Sequence, residues 1–408
     1  MMTGTTQIVS MQAVIVAFVV AIAVFVVKAL RHLRLVILAS RDTVAACGPG
    51  SDGARQPRVA AVVITLNEAR QIEQCLEHLL ACRPPFEEVL VCDGGSTDET
   101  VDIVKRIILA GEMRCASTRA TGLALAAARQ RQGPGGRQGE PGRGILQEEE
   151  QAGHRGAKRD SKTGDRITEK SPTRTTRTRI RIITSSTKGR AAQLNTGARA
   201  VASGSDAVVF VHADSRPPPT CVQDVRMTLF NDNDPHDPTD IGLLGFPTRI
   251  AMFDETGRYS PASETRILWL TTIHEYISYF FYPLLFQPLS YLRGLRCLFG
   301  DQNLSLRTAD VIKLGGYDDA LRIMEDLDLC LRVVEKLGKR VVRSAHWGAS
   351  SGRRIAHWGE ISATYIHFRI SVLWYAARLA EKLVGRRWPW VRRLLQREYE
   401  TVYTDEAR

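Results

Sequence analysis

Four short, nearly unbroken apolar runs constrain this chain more than anything else in it. Arg58-Val-Ala-Ala-Val-Val-Ile-Thr65, Glu88-Val-Leu-Val-Cys92, Ile180-Arg-Ile-Ile183 and Ala207-Val-Val-Phe-Val-His212 are rich in β-branched residues. Runs of this length and kind suit strands buried on both faces, as in a parallel sheet covered by helices. The segments between them follow a different period. Within residues 68–82, Ile72, Cys75, Leu76, Leu79 and Leu80 recur at helical spacing until Pro84-Pro85 stops them. Ser96-Thr-Asp-Glu99 reads as a capping box opening a helix through about Leu109, and Ala191–Ala202 suits another. Strand–helix alternation with short connections predicts right-handed crossovers and a mostly parallel α/β sheet flanked by helices.

Two segments depart from that pattern. Residues 1–27 carry no charged side chain, and Ile8–Val27 is almost wholly apolar, long enough to cross a bilayer as one helix. Lys28, Arg31, Arg34 and Arg41 follow it and nothing basic precedes it, so the positive-inside rule places the following domain on the cytoplasmic side. Cys47–Pro57 is Gly-, Ser- and Pro-rich and reads as a linker. The second departure is 113–178, rich in Gly, Arg, Gln and Thr and without periodicity. We expect it to be a disordered insertion, since it offers too little apolar surface to offset its ordering entropy. The expected organisation is an anchor and linker at 1–57, with the span at about 8–27. An α/β domain follows at 58–400, interrupted at 113–178, and a tail at 401–408.

The net charge of +11 does not define a nucleic-acid-binding domain. Fourteen Lys or Arg and seven Asp or Glu fall between Arg129 and Arg181, so most of the excess sits in the insertion. Such a tract binds anions non-specifically, and no base-reading motif accompanies it. The eight cysteines form no CxxC pair, which argues against a zinc ribbon or redox site and for small core fillers.

In open parallel sheets, ligands bind beyond the carboxyl ends of the strands. Here those ends carry Thr65-Leu-Asn-Glu68, Asp93-Gly-Gly-Ser-Thr-Asp98 and His212-Ala-Asp214, and Lys188-Gly-Arg190 precedes a helix on the same side. Acids for base, ribose and metal together with cations for phosphates suit a nucleotide diphosphate. Each residue also has a plainer role. Asp93 and Ser96 could serve as turn and cap, Asn67 as a cap, and Asp214 as a loop aspartate. Lys188 and Arg190 could be solvated cations, and Asp98 favours a first helical turn in any case.

With these residues in hand, the chain resembles glycosyltransferase family 2, and most of all its bacterial branch of selenodomain-associated transferases. The resemblance rests on Ile64-Thr-Leu-Asn-Glu68, Val91-Cys-Asp-Gly-Gly-Ser-Thr-Asp98, Lys188-Gly-Arg-Ala-Ala-Gln-Leu-Asn195 and Val211-His-Ala-Asp214. It continues in Gly300-Asp-Gln302, Gly315-Gly-Tyr317 and Met324-Glu-Asp-Leu327. It covers about 58–112 and 179–400 and implies a GT-A (Rossmann-like) fold. The nucleotide-sugar-binding set it implies is Thr65, Asn67, Glu68, Asp93, Lys188, Arg190, Asp301, Arg353 and Arg354, the last two in a late basic motif over the diphosphate. Asp214 would stand at the metal corner, holding Mg²⁺ or Mn²⁺, with His212 a possible nitrogen ligand. Two features differ from the family: His212-Ala-Asp214 stands where Asp-x-Asp is usual, and Ile355 where the branch has Trp.

The resemblance makes Glu325 and Asp326 the catalytic pair, with Asp326 the base that deprotonates an acceptor hydroxyl during an inverting displacement. Their place at a helix start favours ionised carboxylates, so we expect a low pKa for Asp326. Acids open many helices, so the pair could also be structural. Partners follow from the chemistry: a nucleotide-sugar donor, an acceptor that could be lipid-linked, and the membrane. Ile267 to Phe299 and Tyr365 to Leu379 are aromatic-rich, either as core or as an interfacial surface, and Pro283 and Pro288 argue against a straight second span. A nucleotidyltransferase-like enzyme and a catalytically silent membrane-anchored scaffold are the alternatives.

Overall fold

The computed structural model describes residues 43–44, 55–112, 178–230, 241–251, 269–384, 393 and 397. The expected span at 8–27, the expected insertion (Thr178 apart) and the tail lie outside the described residues. Among the described residues no helix is long and apolar enough to cross a membrane. The chain divides into two units, residues 1–105 with 178–408, and 106–177. The first unit carries the sheet.

Eight strands form that sheet. In chain order they are β1 (Thr43–Val44), β2 (Val59–Thr65), β3 (Glu88–Asp93), β4 (Arg179–Thr184), β5 (Ala207–His212), β7 (Ile241–Gly245), β9 (Ser305–Arg307) and β10 (Arg340–Ser344). Their spatial order is β1-β10-β7-β9-β5-β2-β3-β4. A second sheet of β6 (Ser215–Arg216), β11 (Gly348–Ser351) and β8 (Thr248–Ala251) stands beside it. The four apolar runs are β2, β3, β4 and β5. All of β2 and β3 is buried, whereas β4, at one edge of the sheet, is only half-buried. Within the eight-stranded sheet all neighbours are parallel except β9, which runs antiparallel to both β5 and β7. This three-residue strand enters from the Gly300–Gln302 turn at the carboxyl edge and leaves into a helix at Thr308, so it must run backwards.

Helices α1 (Ile72–Ala81), α2 (100–112), α3 (Arg190–Val201) and α4 (Cys221–Leu229) follow the strands as the spacing requires. In α1 the buried residues are Ile72, Cys75, Leu76 and Leu79. Gly197 lets α3 lie close on the sheet, because a Cβ there would overlap Val62. The capping box at Ser96 is a correction. Ser96 instead donates its hydroxyl to Asp93, and α2 begins later, behind Asp98, which accepts from Thr100 N–H at 3.0 Å. The helix starts where a side-chain oxygen is free to cap it.

Beyond β8 come α5 (Trp269–Phe286), α6 (Pro288–Leu292), α7 (Thr308–Leu314), α8 (Glu325–Leu337), α9 (Arg353–Trp358) and α10 (Glu360–Val384). Pro283 sits inside α5 and does not end it. The carbonyl that Pro283 leaves without a helical donor, that of Tyr279, accepts from Cys297 N–H at 3.3 Å, so the missing bond is replaced from outside. Tyr282 and Phe286 pack on Phe368 and Tyr375 of α10, and much of the second aromatic stretch is core. The six described cysteines are free and buried, and burial pushes the Cys75 and Cys92 thiols up to about 11. They are inert fillers.

Candidate functional site

Register sets the site. Thr65 pairs with Asp93, Asp93 with Thr184, and Ile64 with His212, so the polar residues that end β2, β3 and β5 stand level at one edge. Asp93 is buried, and its carboxylate accepts from Gly95 N–H (2.9 Å), Ser96 N–H (3.0 Å) and the Ser96 hydroxyl. The Asn67 amide donates to Ser96 Oγ, and its side-chain oxygen accepts from Thr97 N–H, at 2.9 and 2.8 Å. Asn67 holds a left-handed φ of 54°, which asparagine tolerates better than bulkier residues. Desolvation pushes the carboxyl of Asp98 up, but its hydrogen bonds from Thr100 and Ala69 N–H together outweigh this and hold it below the usual range. Together these residues tie the β2 and β3 loops into one rigid wall.

Gln193, from the buried side of α3, donates to Thr65 O at 3.3 Å and fills the space that a side chain at Gly94 would need. Asn195 holds Gly315-Gly316-Tyr317, bonding both Tyr317 N and Tyr317 O. Neither was picked out as a site residue from sequence, although both lie in the quoted motif; a buried amide on a short helix was the available signal. The Thr65 hydroxyl is buried with no hydrogen-bond partner among the described residues.

Arg353, at the start of α9, reaches back to this wall. It forms a two-pronged pair with Glu68, and its Nη2 lies 3.6 Å from Asp214 Oδ2. Two expected donor-site acids and one expected phosphate cation therefore meet. Lys188 is exposed, with its carbonyl accepting from Arg322 at 3.3 Å. The side chain of Arg354 lies outside the described residues.

The opposing wall is the start of α8. Glu325 and Asp326 are both buried, at 1% and 7% exposure, in spite of their charge. Both Glu325 oxygens and Asp326 Oδ1 lack a hydrogen-bond partner among the described residues. Arg190 Nε stands 3.1 Å from Glu325 Oε1, close enough for an ion pair but without hydrogen-bond alignment. Met324, just before the pair, is held at a left-handed φ of 66°. Buried carboxyl groups with so few hydrogen bonds, beside a strained residue, are a functional signature.

The expected low pKa of Asp326 is overturned. Burial raises it well above the usual carboxylate range, the neighbouring Glu325 adds to this, and Asp301 adds further. Arg190 and the Gly300 amide oppose the shift without cancelling it. Desolvation outweighs the helix dipole because the carboxylate is out of water altogether.

Asp301 belongs to this wall too. It acts on Asp326 and accepts from Thr248 Oγ1 at 3.2 Å. A methyl group built on Gly300 would come within 2.8 Å of both Asp326 Oδ2 and His212 Nε2. The structure thus groups His212 with the carboxylates, and no three His, Cys, Asp or Glu converge as a metal-ligand set among the described residues. Asp214 remains as one carboxylate. That fits Mg²⁺ or Mn²⁺ when a diphosphate supplies the other oxygens, and does not fit a protein-only cage.

A cavity of about 530 Å³ is lined by Tyr317, Asp328, Arg332, Glu335 and Arg378 among others, but not by Glu325 or Asp326. Asp328 there is paired with both Arg332 and Arg378, which ties α8 to α10.

Residues 60–131 match the profile of Glycosyl transferase family 2, a stretch that includes β2, α1, β3 and α2. No curated protein matches the sequence. Among solved structures, a mannosyltransferase from Pyrobaculum calidifontis, in complex with GDP-Man and Mn²⁺, is 17% identical. The alignment covers 96% of this chain and 82% of that one, with a TM-score of 0.45. The glucosyl-3-phosphoglycerate synthase of Mycobacterium tuberculosis is 14% identical over 78% and 80%, at 0.38. Residues 1–349 of TarS from S. aureus are 12% identical over 86% and 74%, at 0.40. At these scores none of the three bears on the roles of residues. The mixed α/β fold with its mostly parallel sheet fits the GT-A arrangement.

Proposed function

We propose that this protein is a membrane-anchored glycosyltransferase that moves a sugar from a nucleotide-sugar donor to an acceptor hydroxyl, with inversion at the anomeric carbon. The observation that carries the reading is the buried, hydrogen-bond-deprived Glu325–Asp326 pair near the polar strand ends. The family match over the first strand–helix–strand unit supports it.

In this reading the wall of Thr65, Asn67, Glu68 and Asp93 seats the nucleotide. Lys188, Arg190, Arg353 and Arg354 neutralise the diphosphate, with Arg353 moving from Glu68 and Asp214 to the phosphates. Mg²⁺ or Mn²⁺ held by Asp214 would supply further neutralisation of the leaving group. Asp326 takes the acceptor proton as the acceptor oxygen bonds to the anomeric carbon; the bond from that carbon to the diphosphate breaks and its electron pair leaves with the nucleotide. A base whose pKa lies nearer the working pH is the stronger for it. Arg190 steadies Glu325, and Asp301 and His212 position Asp326 and the acceptor. In this reading the uncharged run at 8–27 is the anchor, and the basic residues after it keep the domain on the cytoplasmic side of a membrane, within reach of a lipid-linked acceptor.

The test is a screen of UDP- and GDP-sugars with the purified full chain for binding, donor hydrolysis and transfer. One donor bound and split to a nucleoside diphosphate supports the proposal, whereas pyrophosphate release would favour a nucleotidyltransferase. A chain that binds no donor would be a scaffold. Protease added to sealed microsomes should digest the domain; protection would reverse the topology.

A further inference from the structure

We infer that the junction of α5 and α6 is a second point of membrane contact, a leucine ridge that lies in the lipid interface and orients the domain against the bilayer. Leu284, Leu285, Leu289 and Leu292 are exposed by 43%, 69%, 67% and 79%. Pro288, also exposed, stands between them, so apolar groups recur every three to four residues across the junction. Of the residues in between, Gln287 and Ser290 are buried, Phe286 and Tyr291 are half-buried, and Ser290 Oγ donates to Glu335. This is one continuous outward face, unlike the lone exposed apolar residues that any surface shows.

The occupant is argued from the surroundings of the ridge. Arg293 follows Leu292 and is exposed, where it can meet anionic headgroups. Glu335, which accepts from Ser290 of α6, is neutralised by Lys382 Nζ at 2.9 Å. The chain's own path points the same way. β1 runs parallel to β10 with Thr43 opposite Arg343, so β1 starts on the side of the Arg340 end of β10. At that end Val341 N–H donates to Gly294 O at 3.0 Å, and Gly294 comes just after α6. β1 thus starts at the end of β10 beside the ridge, and the apolar run at 8–27 precedes it in the chain. Residues 28–42 separate them, at most about 50 Å of extended chain. A domain tethered so closely at that end, with leucines and an arginine there, suits a bilayer interface.

The inference rests on the anchored reading of the chain, and the experiment separates the two. The full chain is placed in vesicles of phosphatidylcholine and phosphatidylglycerol with a photo-crosslinking amino acid at Leu285, Leu289 or Leu292, and at Ile312 as a control. Ile312 is 65% exposed on α7. We expect lipid adducts at the three ridge positions, at least tenfold above those at Ile312. Adducts to residues 8–27 of the same chain, to a second copy, or to nothing would overturn the ridge, as would equal lipid capture at Ile312. Alkaline carbonate extraction of the same vesicles reports the anchor independently. A chain that stays with the membrane yet gives no ridge adducts refutes the ridge alone, and a chain released by carbonate refutes the anchor whatever the adducts show.

Discussion

Around the β2 and β3 loops the carboxylates are matched: Asp93 takes three hydrogen bonds, and Asp98 and Asn67 bond to backbone across the loops. At the start of α8 the opposite holds, with Glu325 and Asp326 buried and three of their four oxygens without a hydrogen bond among the described residues. The first region spends its charges on its own shape, so its acids are scaffold for a ligand that meets mainly backbone and rim groups. The second buries its carboxyl groups with few hydrogen bonds, at a cost in stability, since burying polar groups without such bonds is expensive. On the proposed function, a site built this way would bind with one wall and react with the other.

Asp326→Asn tests this contrast most sharply. Turnover should fall by roughly 10²–10⁴, the usual loss for a positioned base, while donor affinity stays put. Stability should move the other way. Because the folded pKa of Asp326 is raised, the folded chain holds a proton that the unfolded chain releases. The stability this confers is full in acid and is lost as pH rises. The variant escapes that loss, so its Tm should exceed the parent's increasingly from acid to neutral pH in calorimetric melts. A lower Tm at neutral pH would show that the pair is structural. Glu325→Gln should lower turnover less; the reverse ranking would exchange their roles.

Metal removal comes next. Excess chelator, or Asp214→Asn, should lower turnover about a hundredfold, the scale of several kcal/mol of lost charge stabilisation. Full turnover in chelator would leave the diphosphate to Lys188, Arg190 and Arg353 alone.

On the matched wall the expected loss is in binding. Asp93→Ala strips three donors of their acceptor, at about 1–3 kcal/mol, so the donor Kd from titration calorimetry should rise roughly ten- to a hundredfold with kcat little changed. If kcat falls as far as it does in Asp326→Asn, the two walls are not separable. The smallest effect belongs to the stretch outside both. Replacing 113–178 by a short Gly/Ser bridge should leave donor affinity within about twofold, because its composition provides no built ligand site. A lost affinity in a chain that still melts cooperatively would make that segment part of the donor site.

The strands and the level of their polar ends were legible in the sequence, because burial on both faces demands unbroken apolar runs and a parallel sheet brings its carboxyl ends to one edge. The plainer role of Asp98 was legible too, since an acid at a helix start has a local explanation. The Ser96 cap was misread because the local pattern could not show that Asp93 would claim the same hydroxyl. Long-range pairing, not local preference, decided the rest. Only the fold could run β9 backwards through the sheet, set Arg353 on Glu68 across 285 positions, or replace the bond lost at Pro283 with Cys297. Only the fold could take Asp326 out of water, bring Asp301 to it, and raise a pKa that the helix start alone would lower. Sequence determines which charges a chain carries and where its apolar faces begin. The solvent those charges see is a property of the folded whole, because desolvation depends on every element packed around them.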